Sequence, residues 1–273
     1  MPQHKIVEKQ HITERPPSPS AMPAAEFRRR EEKRRALFSQ TWVQKVPRAF
    51  NDVPRFYRLG NAIASLGLWE LWMWQFINTI KLRPEDKILD VCAGTNFIGI
   101  QILKKQPRAL ITAIDRSEAM QAWGRKDAVK LGFHIESVIR DVHELPFPDN
   151  CFDVVTINAA SRHLQLDKVV PEIFRVLKPG GHFYHCDMLK PANNIIKRLY
   201  LRYLGMILRL TAMIVGASKD SRDCTTYFTE AIDNFYTAKE LSGIMELVGF
   251  APVVCKKSVW CGMVGFHDAQ KPL

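Results

Sequence analysis

Short apolar runs and amphipathic runs alternate along the middle of the chain, between Lys87 and Met188. The apolar runs predict five strands: KILDV, ALITAID, HIESVIRD, CFDVVTINA and HFYHCDM. The amphipathic runs predict three helices, IGIQILKK, SEAMQAWGRKDAVKLG and LDKVVPEIFRVLKPGG, and Ser117 is a suitable cap for the second. This alternation predicts right-handed crossovers and a parallel sheet covered on both faces, with ligands outside the carboxyl ends of the strands.

The last third of the chain has a different pattern. Residues 193–217 form a long apolar segment that four cations interrupt: Lys197, Arg198, Arg202 and Arg209. Four cations in hydrocarbon are too costly for a transmembrane span. TAKELSGIMELVGF then predicts a helix, and APVVCKKSVW and CGMVGFHDA predict a closing strand pair at an antiparallel edge. The predicted fold class is therefore α/β, with a doubly wound, mostly parallel seven-stranded sheet and helices on both faces.

The first 48 residues are predicted to lie outside the folded domain, which we place at residues 49–273. Residues 1 to about 25 are rich in Pro, Ser and Ala, and we expect them to be disordered. Residues 26–48 carry eight Lys or Arg and three Glu, with a few large apolar side chains between them. Two interpretations of this segment stay open: a solvated helix of alternating charges, or a basic amphipathic helix lying on anionic lipid.

Composition favours an anionic partner and argues against a metal site. The formal net charge is +11, from 39 Lys and Arg against 28 Asp and Glu, which favours nucleic acid or membrane lipid. RNA-binding motifs with interleaved aromatic residues and glycines are missing, so we expect an anionic membrane surface and no nucleic acid. Six cysteines without a CxxC pair predict reduced thiols, no metal, and a cytoplasmic protein. Peripheral attachment to the inner face of the membrane and a homodimer are both left open.

Three acidic residues follow apolar strands in order: Asp90, Asp115 and Asp141. A carboxylate just past a strand is well placed to accept both hydroxyls of a ribose, and three in succession favour a cofactor site over ordinary turn residues. The turn CAGTNFIG lacks the G-x-G-x-x-G pattern that cradles a pyrophosphate. This argues against NAD or FAD and for a cofactor without phosphates.

Several longer motifs resemble those of one enzyme class. LDVCAGTNF, AIDRSEAM, RDVHELPFPDNCFDVVTI and FRVLKPGGHF are similar to the successive motifs of class I S-adenosylmethionine-dependent methyltransferases. The last two, together with FNDVPRFYRLGNAIASLGLWELW, YFTEAI and GMVGFH, resemble the ubiquinone/menaquinone biosynthesis C-methyltransferases in particular. The resemblance runs from about Phe50 to His267. It implies S-adenosyl-L-methionine as cofactor and methyl transfer to a ring carbon of a reduced, prenylated quinone.

The resemblance also implies a set of cofactor-binding residues: Asp90, Gly94, Thr95, Asp115, Arg116, Asp141, Val142 and Asn158. Gly94 and Thr95 contact the methionyl part in this pattern, and Asp115 holds the ribose hydroxyls. Asp141 and Val142 border the adenine. Asn96 replaces a glycine of the family's turn; asparagine tolerates the left-handed backbone conformation, so we expect the turn to be preserved.

On the acceptor side, the resemblance places Arg162 beside the quinone and Tyr57 on the wall of the same pocket. His163 stands where the family usually has asparagine, and two roles stay open for it: a base that acts alongside water, or a histidine with satisfied hydrogen bonds. The helical segment around residues 193–235 is expected to cap the acceptor and receive its isoprenoid tail, with its arginines reaching lipid head groups.

Two other functions are compatible with this pattern. The altered NAASRH segment is also consistent with a methyltransferase for another phenolic or prenyl-lipid metabolite. A non-catalytic binding protein with the methyltransferase fold is the third hypothesis, because the basic N-terminal region could bind a partner without chemistry.

Overall fold

A seven-stranded sheet forms the centre of the computed structural model, which describes residues 22–48, 57–219, 222 and 224–273. Its strand order is β3-β2-β1-β4-β5-β7-β6. The strands are β1 Lys87–Val91, β2 Leu110–Asp115, β3 Glu136–Ile139, β4 Phe152–Asn158, β5 Leu177–Met188, β6 Val253–Val259 and β7 Val264–Gln270. Strands β1 to β5 pair in parallel, while β7 runs antiparallel to both of its neighbours. The predicted fold class and the closing strand pair are therefore confirmed.

Helices cover both faces of this sheet. They are α1 Ala24–Gln40, α2 Tyr57–Ala64, α3 Trp69–Thr79, α4 Phe97–Lys105, α5 Glu118–Lys130, α6 Leu166–Val176, α7 Asn194–Ile214, α8 Thr225–Asp233 and α9 Ala238–Val248. A π-helical turn, Thr41–Lys45, follows α1 directly. Among the described residues, no helix has both the length and the hydropathy that a membrane span needs.

Alternate side chains of the strands supply two apolar cores. In β1, Leu89 and Val91 join a core formed with α6 and α9, whereas Ile88 joins a core formed with α3 and α4. This is the period-two pattern of a strand buried on both faces. It explains why the strands of the sheet read as continuous apolar runs in the sequence.

The boundary between α6 and β5 differs from the prediction. The sequence predicted one helix through LKPGG, but α6 ends at Val176 and β5 begins at Leu177. Leu177 already pairs with Phe152 of β4. A residue before proline is driven away from helical geometry, so Lys178, which precedes Pro179, favours extended backbone here.

Helix α1 packs on the domain rather than extending from it. Phe27 is part of the α6–α9 core, and Phe38 and Trp42 pack against Tyr227 of α8. Both interpretations of the basic segment placed it outside the domain, and this packing corrects them, because the apolar face is already covered by protein. Most of the segment predicted to be disordered, residues 1–21, lies outside the described residues.

Helix α5 approaches the turn after β1 very closely. A Cβ atom added at Gly124 would lie 2.6 Å from the backbone carbon of Thr95 and 2.8 Å from its oxygen. Gln121, one turn earlier, donates from Nε2 to the Gly94 carbonyl oxygen at 2.9 Å and to Asn96 Oδ1 at 2.8 Å. The turn is therefore held in shape by one face of α5.

We expect Gly124→Ala to lower the free energy of unfolding by about 1–3 kcal/mol, because backbone must move to make room for the new methyl group. Chemical denaturation measures this change. Gly205→Ala in α7 is the matched control, since its added Cβ would meet its nearest neighbour, Thr229, at an ordinary 3.7 Å. Equal stabilities for the two variants would show that the approach of α5 to the turn is not tight.

Candidate active site

A cleft opens at the carboxyl ends of β1, β2 and β4, where the strand order changes direction. This is where open α/β sheets bind ligands. The cleft has about 760 Å³ of empty space, which includes the solvent at its open mouth. Its wall includes predicted residues at or after the carboxyl ends of β1, β2, β3 and β4: Gly94, Asp115, Arg116, Asp141, Val142, Asn158 and His163. A smaller adjoining pocket contains Asp90 and Thr95 and shares Cys92, Gly94 and Asn158 with the cleft.

The turn between β1 and α4 contains three left-handed residues, Cys92, Gly94 and Asn96, with φ values of 55°, 53° and 56°. Asn96 adopts the conformation that the sequence predicted for it. Its fully buried side chain accepts a hydrogen bond from Gln121, so the residue supports the turn as well as tolerating its geometry. Burial and the nearby Asp115 carboxylate raise the pKa of the Cys92 thiol well above its ordinary value.

Asp115 at the end of β2 is held by backbone donors. Its Oδ2 accepts from the Gly94 N–H at 2.9 Å, and its Oδ1 accepts from the Ser117 N–H at 2.8 Å. Burial raises the pKa of this carboxyl group, and the backbone hydrogen bonds partly oppose the shift. An ionised carboxylate offers about four acceptor sites. Two remain after these bonds, which suits a pair of vicinal hydroxyls.

Asp90 in β1 is buried with an unused acceptor. Its Oδ1 accepts from the Thr156 hydroxyl at 2.7 Å, while Oδ2 has no hydrogen-bond partner among the described residues. Asn158 Oδ1 is also buried and without a partner there. Burial raises the pKa of Asp90 to about 7. Both residues line the smaller pocket, so a ligand with cationic N–H donors would satisfy them.

The outer rim of the cleft carries Asp141 and Arg116. Asp141 Oδ1 accepts from His143 Nδ1 at 2.5 Å, and this hydrogen bond lowers the pKa of the carboxyl group to about 2. The other nitrogen of His143 contacts the Gln165 N–H at 3.1 Å. Arg116 donates to the Trp42 carbonyl oxygen at 2.5 Å, which ties the segment after α1 to the cleft.

The acceptor side is built from the segment after β4. Arg162 is buried, donates to the Ala159 carbonyl oxygen at 2.8 Å and forms an ion pair with the fully buried Asp187 of β5. The cleft wall, as far as the structure describes it, does not include the Arg162 side chain. Tyr57 begins α2, and its side chain lies outside the described part of the chain.

His163 does line the cleft, and its proton can be assigned. Trp42 Nε1–H donates to the Tyr227 hydroxyl oxygen at 2.8 Å, and that hydroxyl lies 2.6 Å from His163 Nδ1. An indole only donates, so the hydroxyl hydrogen goes to Nδ1, and the imidazole proton lies on Nε2. Burial, with the nearby guanidinium of Arg162, lowers the pKa of His163 well below its ordinary value. His163 is therefore neutral at pH 7.

Sequence reasoning missed Asp187 and Ser161. Asp187 Oδ2 accepts from the Ser161 hydroxyl at 2.6 Å and from the Arg162 N–H at 3.2 Å. Asp187 lies next to the end of the predicted strand HFYHCDM, as Asp90 and Asp115 lie at or next to the ends of theirs. The same pattern would have found it. Among the described residues, no cluster of His, Cys, Asp and Glu is arranged to hold a metal ion.

Comparison with solved structures supports the same fold. A methyltransferase structure from Methanosarcina mazei, titled as S-adenosylmethionine-dependent, aligns with a TM-score of 0.52 and 25% identity, over 70% of this chain and 95% of that chain. A phosphoethanolamine N-methyltransferase from Haemonchus contortus, solved with S-adenosyl-L-methionine, aligns with a TM-score of 0.56 and 15% identity, over 76% of this chain and 53% of that chain. The protein is a class I S-adenosylmethionine-dependent methyltransferase.

Sequence relatives define the family. The model of the ubiE/COQ5 methyltransferase family matches residues 39–271, and the chain belongs to this family. It is 30% identical to the ubiquinone/menaquinone biosynthesis C-methyltransferase of Cereibacter sphaeroides, over 81% of this chain and 88% of that protein. It is also 30% identical to the demethylmenaquinone methyltransferase of Symbiobacterium thermophilum, over 84% and 93%. The unused acceptors of Asp90 and Asn158 fit the ammonium of S-adenosylmethionine, and Asp115 fits its ribose.

Asp90→Asn is expected to stabilise the protein without cofactor and to weaken its binding. The pKa of Asp90 is about 7 in the folded protein and 3.8 in the unfolded chain. Between these two pH values, the folded state therefore holds more protons than the unfolded state. Its contribution to stability therefore falls as pH rises through this window. We expect the unfolding midpoint of the variant, relative to the native chain, to rise as pH increases from about 4 to about 7, the window between the two pKa values. Loss of the charged acceptor should cost about 1.5–3 kcal/mol of S-adenosylmethionine binding by calorimetry.

Asp127→Asn in α5, at a half-buried carboxylate that pairs with Lys130, controls for the loss of a negative charge. It should alter neither the pH dependence nor the affinity. Native affinity in the Asp90 variant would contradict the assignment of its free oxygen to the cofactor.

Proposed function

We propose that this enzyme transfers a methyl group from S-adenosylmethionine to a ring carbon of a prenylated demethylquinol. The observation that carries this proposal is the extent of the family match. Residues 39–271 include the acceptor-side segment with Arg162 and His163 as well as the cofactor half of the cleft. The relatives from Cereibacter sphaeroides and Symbiobacterium thermophilum carry names that describe this chemistry.

Positioning and charge account for the catalysis we propose. S-adenosylmethionine supplies an already activated methyl group on a sulfonium. Asp115 and Asp90 hold the cofactor's sugar and ammonium, and alignment of two reactants in a dry cleft can lower a barrier by about 7–11 kcal/mol. The acceptor's hydroxyl must lose its proton before the ring carbon attacks. Arg162, held behind the acceptor wall by its ion pair with Asp187, contributes a fixed dipole that we assign to stabilising the phenolate that results.

His163 is better suited to donate a hydrogen bond than to remove that proton. Its Nδ1 accepts from Tyr227, so Nε2 carries the hydrogen, and its lowered pKa makes it a weak base. We therefore assign removal of the proton to water, and to His163 the role of a neutral donor that faces the acceptor.

Transfer of labelled methyl groups to a panel of demethylated benzoquinols, naphthoquinols and simple phenols tests the acceptor. We expect transfer to prenylated quinols. Arg162→Gln should leave S-adenosylmethionine affinity unchanged and lower turnover by about 10²–10³, the cost of losing one preorganised charge. Arg83→Gln, at an exposed position before β1, is the matched control. Transfer to non-quinone phenols alone would favour the alternative function, methylation of another phenolic metabolite. Full turnover in the Arg162 variant would show that Arg162 has no role in catalysis.

Helix α7 presents an apolar stripe to solvent, which we propose docks on an anionic bilayer. Its exposed apolar side chains are Ile195, Leu199, Met206, Leu210, Met213 and Ile214. At about 3.6 residues per turn they share one side of the helix, opposite the buried Tyr200, Leu204 and Thr211. Arg198, Arg202 and Arg209 are exposed along one edge of the stripe, where they can reach lipid phosphates. A prenylated acceptor is water-insoluble, so a lipid surface is its natural source.

Vesicle flotation tests this docking. The double variant Leu199→Glu/Met206→Glu should weaken binding to phosphatidylglycerol vesicles more than about tenfold, because it removes two apolar side chains that would enter the bilayer. Val129→Glu/Leu247→Glu changes two exposed apolar residues on α5 and α9 and should leave binding unchanged. Unchanged flotation of the α7 variant would show that the stripe does not bind lipid. The same conclusion would follow if light scattering showed a homodimer that the α7 substitutions dissociate and the control substitutions do not.

A further inference from the structure

Helix α1 buries an ion pair. Glu31 and Arg34 lie one helical turn apart, form a salt bridge, and have side chains that are 0% and 1% exposed. A buried ion pair is a weak source of stability, because removing two charges from water offsets their attraction. The pair therefore calls for an explanation beyond stability.

Both side chains bind the backbone of the acceptor-side segment. Arg34 Nη2 donates to the carbonyl oxygens of Arg162 and Leu164, at 2.9 and 3.1 Å. Glu31 Oε2 accepts from the Leu166 N–H, the first residue of α6, at 2.8 Å. Three backbone groups of this segment thus depend on two charged residues more than a hundred positions earlier in the chain.

The ion pair is itself fixed in place. The Tyr236 hydroxyl donates to Glu31 Oε1 at 2.8 Å. The Arg34 guanidinium lies 5.1 Å from the ring centre of Phe235 and 5.5 Å from that of Trp42. Aromatic faces attract a cation and exclude water, so the guanidinium has one well-defined position.

The segment needs external support. Ala159 at its start has a φ of 56°, a left-handed value that is uncommon for a residue with a side chain. Only one short 3₁₀ turn, Ser161–His163, follows before α6. Asp187 holds this turn from the side of the sheet through Ser161 and Arg162. Glu31 and Arg34 hold it from the side of α1.

We propose that Glu31 and Arg34 are positioning residues, which fix residues 161–166 so that Arg162 and His163 keep their places on the acceptor side of the cleft. Both precede residue 39, where the match to the family model begins, so they belong to the part of α1 outside that match. The described hydrogen bonds of Asp115 involve no residue of α1. The pair therefore acts directly on the acceptor-side segment and reaches the cofactor side only through Gln165, whose N–H donates to His143 beside Asp141. Its catalytic consequence rests on the proposed function.

Hydrogen exchange by mass spectrometry on the full-length protein tests the positioning itself. Arg34→Met should speed exchange in peptides that cover residues 160–168, which contain the Leu166 amide, and leave residues 88–100 and 112–122 unchanged. Arg29→Met makes the same chemical change at an exposed position of α1 and should leave hydrogen exchange unchanged in all three regions. The proposal would be overturned if hydrogen exchange became faster throughout the protein, or if it did not become faster at residues 160–168.

Arg34→Met leaves Glu31 buried without its partner, and the variant could fail to fold for that reason alone. Glu31→Gln/Arg34→Met removes both charges and should recover thermal stability. The exchange at 160–168 should nevertheless stay fast, because the anchors to the carbonyl groups remain absent. A double variant with native exchange in this segment would show that the ion pair does not position it.

Kinetics separates positioning from general stability. With a quinol that the native enzyme methylates, the double variant should keep the native KM for S-adenosylmethionine while kcat falls by about tenfold to a hundredfold, the effect of misplaced catalytic groups. Native kcat would overturn the proposal. If no quinol is methylated by the native enzyme, the proposed function fails, and the exchange experiment still decides the role of Glu31 and Arg34.

Discussion

The site depends on two carboxylates that the sheet takes out of water. Asp90 and Asp115 lie at the ends of neighbouring strands, where burial raises the pKa of both. The protein supplies hydrogen bonds to each but leaves acceptor capacity unused, most plainly at Asp90 Oδ2. Burying a charge without full compensation destabilises the fold. If these carboxylates bind S-adenosylmethionine as proposed, its donors would relieve this cost, and part of its binding energy would come from that relief.

Much of the fold was predictable because strands buried on both faces are apolar throughout and helices between them are amphipathic. The sheet, its antiparallel edge and the left-handed Asn96 all follow from local sequence. Asp115 was predictable for the same reason, since its position at a strand end is encoded by the preceding apolar run. The predicted boundary between α6 and β5 was wrong, because Lys178, which precedes a proline, favours extended backbone and the strand therefore begins before the glycines.

The acceptor side was less predictable, because its geometry depends on distant partners. Glu31 and Arg34 stand in a run of charges that looks solvated, and only Tyr236, Leu166 and the 162–164 carbonyl groups explain their burial. No local pattern joins these positions. The tautomer of His163 is likewise set by Trp42 and Tyr227, one from each end of the chain.

The thiol of Cys92 has a consequence for an enzyme that handles quinones. Oxidised quinones are electrophiles, and they undergo conjugate addition by a thiolate, which would alkylate the enzyme irreversibly. Cys92 lies on the wall shared by both pockets, but its neighbouring carboxylates and its burial keep it protonated. The thiol is a poor nucleophile in that form. On the proposed function, burial and the carboxylates that line the cleft would thereby limit inactivation of the enzyme by oxidised acceptor.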